Sequence, residues 1–230
     1  MEKMGVCERV RRECDGIWEA SFRHPFVEAL AGGTLDEDIF RFYVLQDAYY
    51  LSHFAKVQAL GAVKAKDLLT TQSFAKHAEA TCSAELSLHE EFFTMLGVTP
   101  EEQAAFRPAP TAYAYTSHMY RAAVEGDLAD VLAALLPCYW LYWEIGERLK
   151  GAEPGHTIYD KWIATYGSEW FGSLVNEQID RMNKLADGLP EKRIRELAER
   201  FRKSSIYELS FWEMAWTKEQ WETPEMEGAR

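Results

Sequence analysis

The chain has 230 residues, of which 47% are hydrophobic, and its formal net charge is -12 at pH 7. A chain of this length and apolar content can bury a sizeable core, which excludes the compositions typical of disorder. The acidic charge disfavours nucleic acid and anionic membranes as partners, and the densest basic run, Lys192 to Lys203, is interleaved with Glu196 and Glu199 as on a solvated helix face.

The first two predicted helices lie within the first 33 residues. Apolar residues recur at helical spacing along nearly the whole chain, without sustained alternation typical of strands, and this predicts an all-α protein. The first helix carries an apolar residue at every fourth position from Val6 to Phe22. A short second helix starts at Pro25 and ends before the Gly32 and Gly33 pair.

A long third helix is predicted over residues 36–64, where Thr34 followed by Glu37 forms a capping-box pattern. Asp47 lies on one face of this helix among aromatic residues at helical spacing, namely Phe40, Tyr43, Tyr50 and Phe54. A buried carboxylate needs partners. Asp47 is therefore either a structural residue bonded to a neighbouring helix or an acceptor for a ligand amine between aromatic walls.

The next predicted helices cover residues 67–96, 111–125 and 127–151, with a proline-bearing loop at 99–110. The helix over 127–151 is apolar on all sides, as in the centre of a bundle, and Pro137 lies inside it. Because proline removes a backbone donor, we expect a kink that exposes polar backbone beside Cys138. The alternative for Cys138 is a small buried hydrophobic residue.

The last predicted helices cover residues 157–165, 168–187 and 190–216. In the final one, Glu208 shares a face with Phe201, Phe211 and Trp212, so a second carboxylate is placed among aromatic residues. Two carboxylates and a thiol on the inward faces of three helices form a set that suits a nucleophile with acid and base assistance. Without repeats or a long linker, one helical bundle is expected.

The cysteine pattern and the possible metal ligands exclude several classes. The four cysteines form no C-x-x-C pair, so we expect reduced thiols in the cytoplasm. Glu85 and His89 have metal-ligand spacing, but such helical pairs are more often packing features, and Pro154 breaks the helix that a Glu153–His156 motif would require.

Further absences point the same way. Pro137-Cys138 lacks the second cysteine of the zinc deaminases, because position 141 is Leu. We therefore expect no metal and no nucleotide cofactor. The charged N-terminal segment and the lack of an eighteen-residue uncharged apolar run predict neither a signal peptide nor a membrane span.

Six blocks in chain order combine rare tryptophan, cysteine and tyrosine positions: HPFVEALAGGTL, FRFYVLQDAYYLSHFAKVQALG, PTAYAYTSHMY, LLPCYWLYWEIGE, TYGSEWF and SIYELSFWEMA. Together they closely resemble the TenA family, the thiaminase II or aminopyrimidine aminohydrolase enzymes, over residues 13 to 221. The resemblance implies a haem-oxygenase-like helical bundle that assembles as a homotetramer. The resemblance also implies that residues 1–221 form one catalytic domain and that residues 222–230 are a C-terminal tail.

The resemblance also implies the site residues. The family's catalytic cysteine matches Cys138, its substrate-binding aspartate matches Asp47, and its second carboxylate matches Glu208. The family's pocket residues match five aromatic positions: Tyr50, Tyr115, Tyr142, Tyr166 and Phe211. The presence of Cys138 places the chain with the cysteine-containing members.

The implied activity is hydrolysis of 4-amino-5-aminomethyl-2-methylpyrimidine to the 5-hydroxymethyl compound and ammonia, with thiamin as a slower substrate, in thiamin salvage. In such a reaction Cys138 would be the nucleophile, Asp47 would orient the ring, and Glu208 would exchange protons. Two alternatives remain open. The first is a non-catalytic pyrimidine-binding or regulatory protein of the same fold, and the second is a metal-dependent oxidase.

Overall fold

The computed structural model describes residues 5–222, except for the side chains of residues 84–87. This part of the chain contains eleven α-helices and no strand. The helices are α1 Val6–Glu13, α2 Asp15–Phe22, α3 Pro25–Ala31, α4 Glu37–Lys64, α5 Leu68–Met95, α6 Pro100–Ala105, α7 Pro110–Glu125, α8 Leu128–Arg148, α9 Thr157–Tyr166, α10 Glu169–Ala186 and α11 Glu191–Thr217. All but the first residue of the predicted tail, 222–230, lie outside the described residues.

The predicted first helix is in fact two helices, because the chain leaves the helical conformation at Cys14. The expected apolar face is nevertheless formed, and Val10, Cys14 and Trp18 are all buried. The break has a packing reason: α1 lies against α10 and α11, whereas α2 lies against α3 and α11. A period of apolar residues predicts a shared face but does not predict a change of direction along it.

Two helix starts also differ from the prediction. Thr34 does not cap α4, because its hydroxyl lies 3.5 Å from the carbonyl oxygen of Ala29, and Asp36 instead accepts from the Asp38 amide at 2.8 Å. The loop predicted over residues 99–110 contains the short helix α6, which begins with a capping box between Thr99 and Glu102. The Thr-Pro-Glu-Glu sequence carried that signal.

The long helices α4 and α8 organise the bundle. Helix α4 packs against α5, α7, α8 and α11, and α8 packs in addition against α7, α9, α10 and α11. By length and composition α8 could cross a membrane, but 83% of its most apolar window is buried inside the molecule. That burial is the property of a central bundle helix, as the sequence predicted.

Glycines bring α8 close to the turn between α9 and α10. A side chain at Gly146 would lie 2.4 Å from the backbone of Tyr166 and Gly167, and one at Gly172 would lie 2.8 Å from the indole nitrogen of Trp143. Only residues without a β-carbon permit this approach. The approach holds the end of α9 and the start of α10 beside the C-terminal part of α8.

Candidate active site

A cavity of about 100 Å³ lies between α4, α5, α8, α9 and α10. Four of the predicted site residues line it: Asp47 from α4, Cys138 and Tyr142 from α8, and Tyr166 from α9. A thiol, a carboxylate and two tyrosines therefore converge on one small aromatic-walled space. Helix α8 continues through Pro137, and the hydroxyl of Ser204 donates to the carbonyl of Ala134 at 2.8 Å beside this segment.

Asp47 is buried, and its partner comes from α5. The Nε2 atom of His89 lies 3.4 Å from Oδ2 of Asp47. The sequence had singled out His89 only as a metal candidate with Glu85, whose side chain lies outside the described part of the chain. An imidazole beside the carboxylate instead serves to hold Asp47 at the cavity wall.

Glu208 is only 2% exposed and contacts two other predicted site residues. The hydroxyl of Tyr115 donates to its Oε1 at 2.5 Å, and the thiol of Cys138 lies within hydrogen-bonding reach. Burial raises the pKa of Glu208 to about 8, and the charge of Asp47 adds to the rise, while the hydrogen bonds with Tyr115 and Cys138 oppose it. Both protonation states of this carboxyl are therefore accessible near neutral pH.

Four predicted residues lie beside the cavity and not on its described wall: Tyr50, Tyr115, Glu208 and Phe211. They form one buried cluster. The ring of Tyr50 lies 4.8 Å from that of Tyr115 and 5.7 Å from that of Phe211. Burial also raises the pKa of Tyr115 well above its usual value, so this hydroxyl keeps its proton and remains a donor to Glu208.

Tyr142 and Tyr166 form a second aromatic contact at the cavity, with ring centres 4.8 Å apart. The hydroxyl of Tyr142 lies 3.3 Å from that of Tyr43, which in turn accepts from the indole nitrogen of Trp162 at 3.2 Å. Because Tyr43 is fixed by Trp162, the Tyr142 hydroxyl is fixed as well. Tyr142 and Tyr166, which were predicted as pocket residues, thus both lie on the cavity wall.

Two further polar side chains on the same wall, Tyr139 and His77, were not predicted from the sequence. The Tyr139 hydroxyl accepts from the Nε2 atom of Gln58 and lies 3.4 Å from Nδ1 of His77. His77 Nε2 in turn lies 2.9 Å from the amide nitrogen of Gln178 and 3.4 Å from Oε2 of Glu177. Burial lowers the pKa of His77, which favours the neutral imidazole.

The rim of the cavity was also missed. Among the described residues that line it, Trp170 alone is exposed, and Phe171 follows it at the start of α10. They are the last two residues of the TYGSEWF block, so the sequence contained this signal, but a comparison limited to the family's catalytic residues did not use it.

A larger groove of about 1020 Å³ lies between α4 and α5, near α6. None of the predicted catalytic or pocket residues lines it. Size alone does not identify an active site, whereas convergent polar groups with a perturbed pKa do. The smaller cavity is therefore the candidate active site.

Comparison with known proteins agrees with this geometry. The TENA/THI-4/PQQC family matches residues 11–218. This chain belongs to that family. It is 53% identical over 218 residues to the aminopyrimidine aminohydrolase of Bacillus subtilis strain 168, a match that covers 95% of this chain and 92% of the relative.

Solved structures place the family member in its fold class. A TenA homologue from P. horikoshii OT3 aligns with a TM-score of 0.84 at 32% identity, over 93% of this chain and 99% of that one. A domain of unknown function with a heme oxygenase-like fold, from Shewanella denitrificans, aligns with a TM-score of 0.72 at 15% identity, over 92% of both chains. The predicted family and the predicted haem-oxygenase-like all-α fold are confirmed.

Proposed function

We propose that this family member is an aminopyrimidine aminohydrolase with thiaminase II activity, a hydrolase of thiamin salvage. Its substrate is 4-amino-5-aminomethyl-2-methylpyrimidine, which it converts to the 5-hydroxymethyl compound and ammonia, and thiamin is a slower second substrate. The observation that carries the proposal is that Cys138 lies on the cavity wall with Asp47 and contacts Glu208, whose pKa is about 8. The high identity to the Bacillus subtilis enzyme supports the same reading.

Asp47 orients the ring in the proposed reaction. Its carboxylate lies on the cavity wall and is held there by His89. A carboxylate hydrogen-bonded to the 4-amino group and the adjacent ring nitrogen favours a protonated, electron-poor ring. Such a ring accepts a thiolate at the carbon beside the substituted one.

Cys138 and Glu208 carry out the bond changes. The thiol transfers its proton to the Glu208 carboxylate and its sulfur adds to the ring carbon, so the electrons can expel the amine from the CH2 group. Glu208 gives that proton to the departing nitrogen. A water molecule then adds to the CH2 group and returns a proton to Glu208, and the thiolate leaves with restoration of the aromatic ring.

The remaining pocket residues set the shape of the site. Tyr142 and Tyr166 provide aromatic walls for the pyrimidine, while Tyr50 packs against Tyr115 and Phe211 beside the cavity. The function of Tyr115 is to donate a hydrogen bond that keeps one oxygen of Glu208 in place. No metal or other cofactor takes part in this scheme.

The protein acts as a homotetramer in the cytoplasm, with residues 1–221 as one catalytic domain and without nucleic acid or membrane partners. Exposed apolar side chains support the assembly: Val63, Leu68 and Leu69 lie at the junction of α4 and α5 and are each at least 80% exposed. Apolar groups clustered on a surface favour contacts between copies of a chain.

Incubation of the purified protein with the aminomethyl pyrimidine tests the function. Release of ammonia, with formation of the hydroxymethyl product by mass spectrometry, is the expected result. Tight binding of the pyrimidine without any turnover would contradict the proposal and support a binding or regulatory protein instead.

A further inference from the structure

One aromatic residue on the wall of the candidate cavity is exposed to solvent. The described wall consists of buried and half-buried side chains, with the exception of Trp170, which is 56% exposed. Trp170 therefore borders both the space beside Cys138 and the solvent. A ligand group that extends out of the cavity on this side passes the indole.

The position of Trp170 is fixed by the backbone around it. Ser168 caps α10, with its hydroxyl oxygen accepting from the Phe171 amide at 3.2 Å. The close approaches at Gly167 and Gly172 hold this first turn of α10 against α8, which carries Cys138. The backbone of Trp170 is thus part of a helical turn packed against α8 and not of a free loop.

The cavity is too small for thiamin as a whole. Its volume is about 100 Å³, whereas pockets that enclose a whole drug-sized ligand have about 300 Å³ or more. A ligand with two linked ring systems therefore extends past the wall of the cavity. The two proposed substrates share the pyrimidine and differ in the leaving group, which is an amine in one and a thiazolium ring in the other.

We propose that Trp170 determines the leaving-group specificity of this enzyme by stacking its indole against the thiazolium ring of thiamin at the rim of the cavity. The inference rests on the proposed function and assigns to Trp170 a contact that the compact amine does not need. Trp170 is a binding residue for one substrate class and takes no part in the proton transfers.

Charge favours a cation at this position. The described lining of the cavity includes Asp47 and contains neither lysine nor arginine. Among aromatic side chains, the indole of tryptophan offers the most favourable face to a cation. A thiazolium carries a permanent positive charge, so it gains from both features at any pH.

Substitution at Trp170 tests the proposal through a ratio of two substrates. The value of kcat/KM is measured for thiamin and for the aminomethyl pyrimidine with Trp170→Leu, Trp170→Phe and the wild type. For Trp170→Leu we expect the ratio of thiamin to aminomethyl pyrimidine to fall by about threefold to thirtyfold, as for loss of one cation–π contact. Trp170→Phe should give an intermediate ratio.

Trp221→Leu is the matched control, because Trp221 is 54% exposed and does not line the cavity. This variant should leave kcat/KM unchanged for both thiamin and the aminomethyl pyrimidine. Equal losses for both substrates in Trp170→Leu would indicate a general structural role, and an unchanged ratio would remove Trp170 from leaving-group recognition. Either result overturns the proposal.

A binding measurement separates this proposal from the proposed function. In a Cys138→Ser background, which prevents turnover, the dissociation constants of thiamin and of the hydroxymethyl pyrimidine are compared with and without Trp170→Leu. Selective weakening of thiamin supports the rim contact even if the wild type proves inactive, an outcome that would contradict the hydrolase function alone. Failure of the wild type to bind either compound would overturn both.

Discussion

Replacement of Glu208 by glutamine tests the unusual state of this carboxyl through stability as well as activity. The side chain is almost completely buried, and burial raises its pKa from 4.5 to about 8. One pKa unit corresponds to about 1.4 kcal/mol, so ionised Glu208 destabilises the folded protein by about 4 to 5 kcal/mol relative to the unfolded chain. Glutamine keeps the shape and cannot ionise.

The direction of the pH effect follows from proton binding. Between pH 4.5 and pH 8 the folded protein keeps a proton on Glu208 that the unfolded chain releases. The stability contributed by this group is therefore complete below pH 4.5, declines as the pH rises, and is lost above pH 8. Since Glu208→Gln removes this dependence, we expect the variant to gain up to about 4 kcal/mol over the wild type between pH 5 and pH 9.

Urea denaturation at pH 5, 7 and 9 measures the difference in unfolding free energy. All other titrating groups are common to both proteins, so subtraction isolates Glu208. Glu199→Gln is the matched control, because Glu199 is exposed on the same helix, and the two proteins should differ by the same small amount at all three pH values.

The catalytic part of this prediction is separate. Turnover of the aminomethyl pyrimidine should fall by about a hundredfold to ten-thousandfold in Glu208→Gln, with a smaller effect on KM. If the difference in unfolding free energy between the wild type and the variant were the same at all three pH values, the raised pKa of Glu208 would be refuted. A change confined to KM would refute the acid and base role.

Four other substitutions or treatments test the rest of the site. Cys138→Ser should lose nearly all single-turnover activity while still binding the pyrimidine, with a stability loss of about 1 to 2 kcal/mol, and a folded variant of wild-type rate would exclude the nucleophile. Asp47→Asn should lower kcat/KM by an amount equivalent to about 1.5 to 3 kcal/mol, and unchanged kinetics would remove Asp47 from the site. Tyr139→Phe should lower the unfolding free energy by about 1 to 3 kcal/mol because Gln58 and His77 lose a buried partner; Tyr113→Phe, at an exposed position, should be neutral. Activity should survive EDTA, because the sequence has no P-C-x-x-C pattern and no helical E-x-x-H pair, and loss on chelation with recovery by one added metal would contradict this.

Helix positions were largely predictable because apolar spacing and capping residues act locally. The long helices α4, α5 and α11 begin and end close to the predicted residues. The break at Cys14 was not predictable from the same signal, because it depends on which neighbours α1 and α2 find in the folded bundle. The spacing of apolar residues predicts which face of a helix is buried, whereas tertiary packing determines where the helix axis changes direction.

The predicted site residues rest on a different kind of signal. A carboxylate on an aromatic face stood out at Asp47 and Glu208, and a cysteine after an internal proline stood out at Cys138. His77, Gln58 and Trp170 carried no such contrast. Their roles arise from positions on separate helices that meet only in the folded chain.

The placement of the two carboxylates bears on their proposed division of roles. Asp47 lies on the cavity wall, where Nε2 of His89 is 3.4 Å from its Oδ2. Glu208 lies in the aromatic interior, where burial penalises the charged form and only Tyr115 and Cys138 oppose that penalty. A carboxylate that holds a cationic ring must stay ionised, whereas one that passes a proton between sulfur, nitrogen and water must change state near neutral pH. The proposed chemistry therefore depends on the position of α11, which places the buried Glu208 beside Cys138, as well as on the thiol itself.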